Sequence, residues 1–192
     1  MNDVTQSVLP RNRSRYVVVT ALGLTQILGY GTSFYLLAIL ATPIQIETGW
    51  TLPQIYAGLS IGLLAAGLSA PLIGRYVDRL GGRPVLAFGS LCFALGLAGV
   101  GLSTNIVIYG LAWLVLGLGM AAGLYDAVFS ALGRWYGQRA RPLITTVTLW
   151  GGFASTLCWP LSAYLLSTVG WRWTCLAFAG THLLIALPIH FW

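Results

Sequence analysis

The chain alternates between long apolar stretches and short polar connections. Each apolar stretch is close to the ~20 residues that a helix needs to cross a ~30 Å hydrocarbon layer. Helices are predicted over residues 16–41, 52–73, 84–102, 106–132, 143–166 and 173–192. The pattern therefore predicts an all-α polytopic membrane protein with six transmembrane helices in residues 16–192, preceded by a cytoplasmic tail at residues 1–15.

The composition supports the same class of protein. Of the 192 residues 57% are hydrophobic and 7% are charged, which is too few charges to cover a soluble globule of this size. The basic residues, all arginines, fall in the polar connections rather than along one basic face, so we predict a lipid bilayer and no nucleic acid as the partner. If six helices alternate, only Arg172 lies on the opposite side from the other arginines. The positive-inside bias then places both termini in the cytoplasm.

Candidate catalytic chemistry is sparse. Cys92, Cys158 and Cys175 lie in separate apolar runs without Cys-x-x-Cys spacing, which favours free thiols over a disulfide or zinc site. Residues 58–62 match the Gly-x-Ser-x-Gly pattern of a nucleophile elbow, but that elbow requires a strand-to-helix turn. Residues 58–62 and 119–123 both have Gly-x-x-x-Gly spacing, which is typical of helices that pack closely, and we prefer this interpretation to a nucleophile elbow. We therefore predict no enzyme activity, no cofactor and no metal.

The densest charge cluster is the signature segment, residues 74–86, between the second and third predicted helices. It reads Gly-Arg-Tyr-Val-Asp-Arg-Leu-Gly-Gly-Arg-Pro-Val-Leu. Its glycines permit a sharp turn, and Pro84 suits the first turn of the following helix, where its missing N–H would be unpaired anyway. The pattern predicts a short loop at the water interface.

The signature segment resembles the conserved cytoplasmic loop of the major facilitator superfamily of secondary transporters. The positions that fit the pattern are Gly74, Asp78, Arg79, Gly81 and Arg83. The resemblance implies that this segment is a conformational switch, which helps to latch the two halves of such a transporter in the outward-open state.

The resemblance also implies an architecture. A facilitator has twelve helices in two halves, each built from two inverted three-helix repeats, with the solute bound between the halves. The six predicted helices correspond to the N-terminal half. We therefore expect either a fragment or truncated gene product, or a homodimer. The implied mechanism is alternating access of a small solute, driven by a gradient without ATP, in the cell (inner or plasma) membrane.

Other stretches resemble the family less closely. Gly29–Gly31, Phe34-Tyr35, Gly49-Trp50 and Trp135-Tyr136 are similar to the monocarboxylate-transporter-like branch, which points to a small organic anion. In the fourth helix, Trp113 stands where the family motif of many drug exporters has an arginine that supports proton coupling. The resemblance therefore does not imply that coupling mode here.

Polar side chains inside the predicted bilayer are the candidate site residues, because burying them in lipid is costly. Gln26, Tyr30 and Ser33 are spaced i, i+4, i+7 on the first helix, where they could hydrogen-bond a substrate or neighbouring helices. By resemblance, Trp113 faces the same substrate cavity.

Two further polar residues lie within apolar runs. Asp126 is expected near the cytoplasmic end of the fourth helix, where it either pairs with Arg134 or an arginine of the signature segment, or carries a proton during transport. His182, on the sixth helix, is expected to pack or hydrogen-bond between helices. The alternative to a transporter is a six-helix membrane interaction or assembly protein without transport.

Overall fold

The computed structural model describes residues 15–191, and every regular element in that range is a helix. The helices are α1 (Arg15–Gly31), α2 (Leu36–Thr48), α3 (Leu52–Leu80), α4 (Gly82–Gly101), α5 (Ile106–Gly123), α6 (Tyr125–Tyr136), α7 (Ala140–Gly152), α8 (Ala154–Thr181) and α9 (Leu187–Phe191). A 3₁₀ turn, Gly137–Arg139, precedes α7, and a π-helical segment, His182–Ala186, joins α8 to α9. The predicted tail lies outside the described residues except for Arg15.

Continuous helical stretches long and apolar enough to cross a membrane are Arg15–Thr48, Leu52–Leu80, Gly82–Gly101 and Ile106–Phe191. The prediction of an all-α membrane fold is therefore confirmed. The predicted count of six separate helices is not reproduced, because the last stretch runs for 86 residues. A straight helix of that length would measure roughly 130 Å, about four times the thickness of the hydrocarbon layer.

The last stretch instead bends at three positions. Leu124 is extended (φ −91°, ψ −165°), Gly137 has φ 54°, and Gly170 has φ 79° with ψ 168°. Positive φ is a conformation that glycine adopts at little cost. As a result α4 packs against both α5 and α8, and the chain reverses without a long loop.

The first stretch is interrupted between α1 and α2, at residues 32–35. The hydroxyl of Thr32 donates to the carbonyl of Leu28 (2.7 Å), and that of Ser33 donates to the carbonyl of Gly29 (2.6 Å). Such bonds to the preceding turn compete with helical hydrogen bonds and bend helices. The helix was expected to end near Pro43, but Pro43 lies inside α2, which is a tolerated position in a transmembrane helix.

Glycines allow α3, α4 and α5 to pack closely. A Cβ added to Gly117 would lie 2.2 Å from the carbonyl oxygen of Gly62, and one added to Gly89 would lie 2.8 Å from the backbone of Ala122. Lipid supplies little hydrophobic driving force between helices, so such backbone approach is a main source of their association. The predicted packing role of the Gly-x-x-x-Gly spacing holds at Gly58, where an added Cβ would lie 2.4 Å from the Trp113 ring.

The starts of α3 and α5 are capped by side chains. Thr51 and Gln54 form a reciprocal capping box, in which the Thr51 N–H donates to Gln54 Oε1 (2.9 Å). Asn105 Oδ1 accepts from the N–H groups of Val107 and Ile108, both at 3.0 Å. These caps fix the connections at the end of the bundle opposite the signature segment.

Candidate functional site

Two helix interruptions meet inside the bundle. The break after α1 and the break at Leu124 are brought together by Tyr30 and Tyr125, whose ring centroids are 4.7 Å apart. One turn before Tyr30, the Gln26 amide nitrogen donates to the carbonyl of Gly123 (2.8 Å). The extended backbone at Leu124 interrupts the helix next to that carbonyl, so Gln26 caps the end of α5 from a neighbouring helix.

Aromatic side chains cover this junction, and we call Tyr30, Phe34, Tyr125 and Phe129 the aromatic cluster. Tyr30 and Phe34 have ring centroids 5.4 Å apart, and Tyr125 stacks on Phe129 at 5.0 Å with an interplanar angle of 12°. The Tyr125 hydroxyl donates to the carbonyl of Thr148 (3.1 Å), which ties α6 to α7. The cluster therefore joins α1, α6 and α7, and Phe34 is exposed at its surface.

Asp126 follows Tyr125 and lies in the first turn of α6, a position that favours a carboxylate electrostatically. Within residues 15–191 it forms no ion pair, and Arg134 instead donates to the backbone carbonyl of Asp78, so the expected pairing with Arg134 is not observed. Its neighbour Tyr125 contacts Tyr30, and roughly 15 Å of α6 follows Asp126. Its side chain is exposed, not enclosed.

The other candidates on the first helix lie inside the bundle. Gln26 and Ser33 are both fully buried, whereas Tyr30 is half-buried in the aromatic cluster. Ser33 bonds its own chain at Gly29, and the Oε1 atom of Gln26 has no hydrogen-bond partner among the described residues. In this conformation only Tyr30 of the three reaches the surface.

Trp113 is also fully buried, at the contact between α3 and α5. Its ring lies against Gly58 and Gly62, and its indole nitrogen has no partner among the described residues. Next to it, the Tyr109 hydroxyl donates to the carbonyl of Ile55 (3.0 Å). The side chain fills the helix contact in the conformation described.

The signature segment is mostly helical, which corrects the expectation of a loop. Gly74, Asp78 and Arg79 belong to the last two turns of α3, and Arg83 lies in the first turn of α4. Gly81 alone separates the two helices, with φ 90°. A one-residue turn suffices because glycine tolerates that backbone, so the charged side chains project from rigid helix ends.

An open groove of about 530 Å³ lies between α2 and α8. Its lining residues are Ile39, Ser155, Thr156, Trp159, Pro160 and Ala163. Trp159 makes an edge-on contact with Tyr35, with ring centroids 6.3 Å apart. The groove therefore opens beside the interruption that separates α1 from α2.

A buried network behind that interruption was only partly predicted. His182 Nε2 lies 2.8 Å from the Thr32 hydroxyl, and the imidazole stacks on Phe93 at 4.7 Å. The expected interhelical hydrogen bond of His182 is thus confirmed. Nearby, Cys158 packs so closely on Gly31 that an added Cβ there would lie 2.1 Å from its sulfur.

Sequence reasoning missed a polar clamp at the capped end of the bundle. Arg172 donates to Glu47 (2.7 Å) and to the carbonyls of Gly101 (2.9 Å) and Ser103 (2.8 Å). Trp171 donates to the other carboxylate oxygen of Glu47 at 2.8 Å. The available signal was that Glu47 and Arg172 are opposite charges predicted on the same membrane face.

This arrangement of apolar helices, glycine contacts and buried polar groups is that of a polytopic integral membrane protein. The chain belongs to the Major Facilitator Superfamily, whose family model matches residues 22–192. The family resemblance read from the signature segment is therefore confirmed.

Curated relatives support the same assignment. The chain is 34% identical over 139 residues to human monocarboxylate transporter 6, covering 71% of this chain and 26% of that protein. It is 34% identical over 126 residues to the putative glycerol-3-phosphate transporter 4 of Arabidopsis thaliana, covering 58% and 22%. It is 31% identical over 105 residues to a triacylglyceride transporter of Mycolicibacterium hassiacum, covering 52% and 19%. The chain thus spans about a quarter of the length of the first two relatives.

Proposed function

We propose that this chain is the N-terminal half of a secondary active transporter that moves a small solute across the membrane by alternating access. The observation that carries the proposal is the meeting of two interrupted helices at Tyr30 and Tyr125, next to an exposed Asp126. Interrupted helices near mid-depth free backbone polar groups for solute binding, and transporters commonly use them in this way.

The proposed architecture has six membrane crossings arranged as two inverted three-helix repeats. In this scheme α1 and α2 form the first crossing, α5 and α6 the fourth, and the bend at Gly170 separates the fifth from the sixth. Both termini lie in the cytoplasm, with the signature segment on the cytoplasmic face of the plasma membrane. A second six-helix half, from a longer polypeptide or a second copy, encloses the path.

The signature segment acts as the conformational switch. Asp78, Arg79 and Arg83 are exposed around the single-residue turn at Gly81, and Gly74 leaves open space on the same helix end. A rigid, charged corner is suited to docking against a helix terminus of the second half, where a carboxylate is attracted to the N-terminal dipole.

Tyr30, Gln26, Ser33 and Trp113 are the proposed substrate-cavity residues, and Asp126 is the proposed site of proton coupling. Tyr30 would contact the solute directly. Gln26, Ser33 and Trp113 are buried in the described conformation, so they would act by holding the helix contacts or by becoming accessible when the helices move. Asp126 is exposed, and we place it near mid-depth of the bilayer, where a carboxylate can exchange a proton during the cycle.

The solute is proposed to be a small organic molecule that carries an anionic group. The printed names of the relatives support this, since monocarboxylates and glycerol 3-phosphate are both organic anions. The described residues provide no exposed arginine near mid-depth, so the partner for that anionic group would come from the second half.

Counterflow in proteoliposomes tests the proposal. The protein containing this chain is reconstituted with trapped unlabelled solute, and uptake of radiolabelled lactate, glycerol 3-phosphate and small zwitterions is followed. Saturable counterflow is expected, and replacing Asp126 with Asn should abolish proton-driven accumulation. Uptake no faster than in empty liposomes for every solute would favour the assembly protein without transport.

A further inference from the structure

The free polar groups at the junction of the interrupted helices are hydrogen-bond acceptors. The Asp126 carboxylate is exposed and unpaired among the described residues. The Oε1 atom of Gln26, which is fully buried beside Gly123, likewise has no partner within residues 15–191. The Gln26 amide bonds Gly123, three residues before Asp126. Amide and carboxylate oxygens are complementary to a group that carries N–H donors or positive charge.

Among the described residues, no arginine side chain lies beside this junction to pair with a ligand's anionic group or with Asp126. The arginines of the described chain lie near helix ends or bends, at residues 15, 75–83, 134–141 and 172. His182 and His190 are buried, and the His182 imidazole is occupied by Thr32 and Phe93. The exposed Asp126 carboxylate therefore acts on a ligand without a neighbouring arginine among the described residues. In the low dielectric of a membrane cleft, its charge attracts cations and repels anions strongly.

Aromatic faces reinforce this preference. Asp126 shares the surface of α6 with Phe129, which stacks on Tyr125, and Tyr125 in turn contacts Tyr30. The faces of aromatic rings carry negative potential, so they attract ammonium groups, particularly when water is excluded. A carboxylate beside several aromatic rings is a combination that recognises cationic nitrogen.

We propose that the surface formed by Asp126 and the aromatic cluster binds the cationic nitrogen of the transported solute, as an amine or a quaternary ammonium. This inference rests on the proposed function. Combined with the anionic group proposed above, it makes the solute a small zwitterion, with amino-acid or betaine chemistry. This half of the transporter holds the nitrogen, and the second half holds the anionic group.

Equilibrium binding tests the inference without requiring transport. The purified protein is immobilised in lipid nanodiscs, and binding of radiolabelled choline, glycine betaine and lactate is measured by scintillation proximity. Choline and glycine betaine are expected to bind. Asp126→Asn should weaken choline binding by about tenfold or more, and Asp126→Glu should retain most of it. Glu47→Gln, which removes the same charge at the end of α2, should leave choline binding unchanged.

A second pair of variants tests the contribution of the aromatic rings to choline binding. Phe129→Leu should weaken choline binding by roughly three- to thirtyfold, whereas Phe88→Leu, at an exposed position of α4, should have no effect. Elution as a single monodisperse species checks that each variant is folded. Absence of choline and betaine binding by the unaltered protein, or equal effects of Asp126→Asn and Glu47→Gln, overturns the inference.

The binding assay also separates this inference from the proposed function. Counterflow of lactate without choline or betaine binding would contradict the inference and leave transport intact. Choline binding that depends on Asp126, without counterflow of any solute, would support the inference and contradict transport.

Discussion

Arg172 and Glu47 form an ion pair, with Nε 2.7 Å from Oε1, although they are separated by more than a hundred residues. The same guanidinium donates to the carbonyls of Gly101 and Ser103 and lies over the Trp171 ring, 4.3 Å from its centroid. This clamp joins the end of α2, the end of α4 and the part of α8 that follows Gly170.

Replacing Arg172 with Ala should lower the free energy of unfolding by about 1–3 kcal/mol, mostly because two backbone carbonyls lose their donor. Glu47→Gln should lower the free energy of unfolding by less than ~1 kcal/mol, because partly exposed ion pairs contribute little to stability. Arg75→Ala is the control, since within residues 15–191 the Arg75 side chain hydrogen-bonds only to the carbonyl of Pro71 on its own helix. Unfolding in mixed detergent micelles measures all three. Equal losses for Arg172→Ala and Arg75→Ala would refute the clamp.

Gly117 should be intolerant of even one methyl group. Gly117→Ala is expected to push α3 away from α5 and to cost roughly 1–3 kcal/mol, because its Cβ would meet the carbonyl of Gly62 at 2.2 Å. Gly133→Ala, where an added Cβ meets nothing within 4 Å, should be neutral or slightly stabilising. Thermal unfolding in detergent distinguishes the two variants. A Gly117→Ala midpoint equal to that of Gly133→Ala would show that the helices do not approach this closely.

The bend at Gly170 requires glycine for conformational reasons alone. Gly170→Ala should destabilise the protein by about 1–3 kcal/mol, since alanine is strained at φ 79°, although space is open around it. Gly180→Ala lies in regular helix with open space and should not destabilise. The same thermal assay applies. If Gly170→Ala were as stable as the unaltered protein, α8 would continue straight through this position.

The proposed switch predicts a conformational effect without a loss of stability. Asp78→Asn should shift the accessibility of the path from outward-facing toward inward-facing, because a docking charge is lost from an exposed helix end. Accessibility is measured by labelling single cysteines from each side of the membrane. Thr104→Ala, an exposed polar change at the opposite end of the bundle, is the control. An unchanged labelling ratio for Asp78→Asn would argue against the switch.

Much of the fold could be predicted because it follows from features that short stretches of sequence display. These features are the membrane-length apolar runs, the spacing of the glycines and the charges of the signature segment. The interruption at residues 32–35 was missed, although Thr32 and Ser33 directly follow Gly29 and Gly31, a local pattern that favours a bend through side-chain bonds to the preceding turn.

Other features depend on tertiary contacts that one sequence does not display. The helix that carries Asp126 was predicted to end at residue 132, but α6 continues to Tyr136. The extended backbone at Leu124 is accompanied by a hydrogen bond from Gln26, nearly a hundred residues earlier. The spacing of Gln26, Tyr30 and Ser33 placed them on one helical face, but Ser33 lies in the interruption that follows α1, where that periodicity no longer applies.

The most direct test of the account is whether the surface beside Asp126 meets water inside the membrane. Ser130 lies one turn further along α6 and is exposed, whereas Leu184 is 80% exposed on the π-helical segment. Cysteines at both positions are treated with a membrane-impermeant methanethiosulfonate applied to both sides, and the unaltered protein, whose three thiols are buried, gives the background. We expect Ser130→Cys to react on the order of tenfold faster than Leu184→Cys, since thiolates form in water and not in lipid. Equal, background-level reaction at both positions would contradict a solute path along this surface.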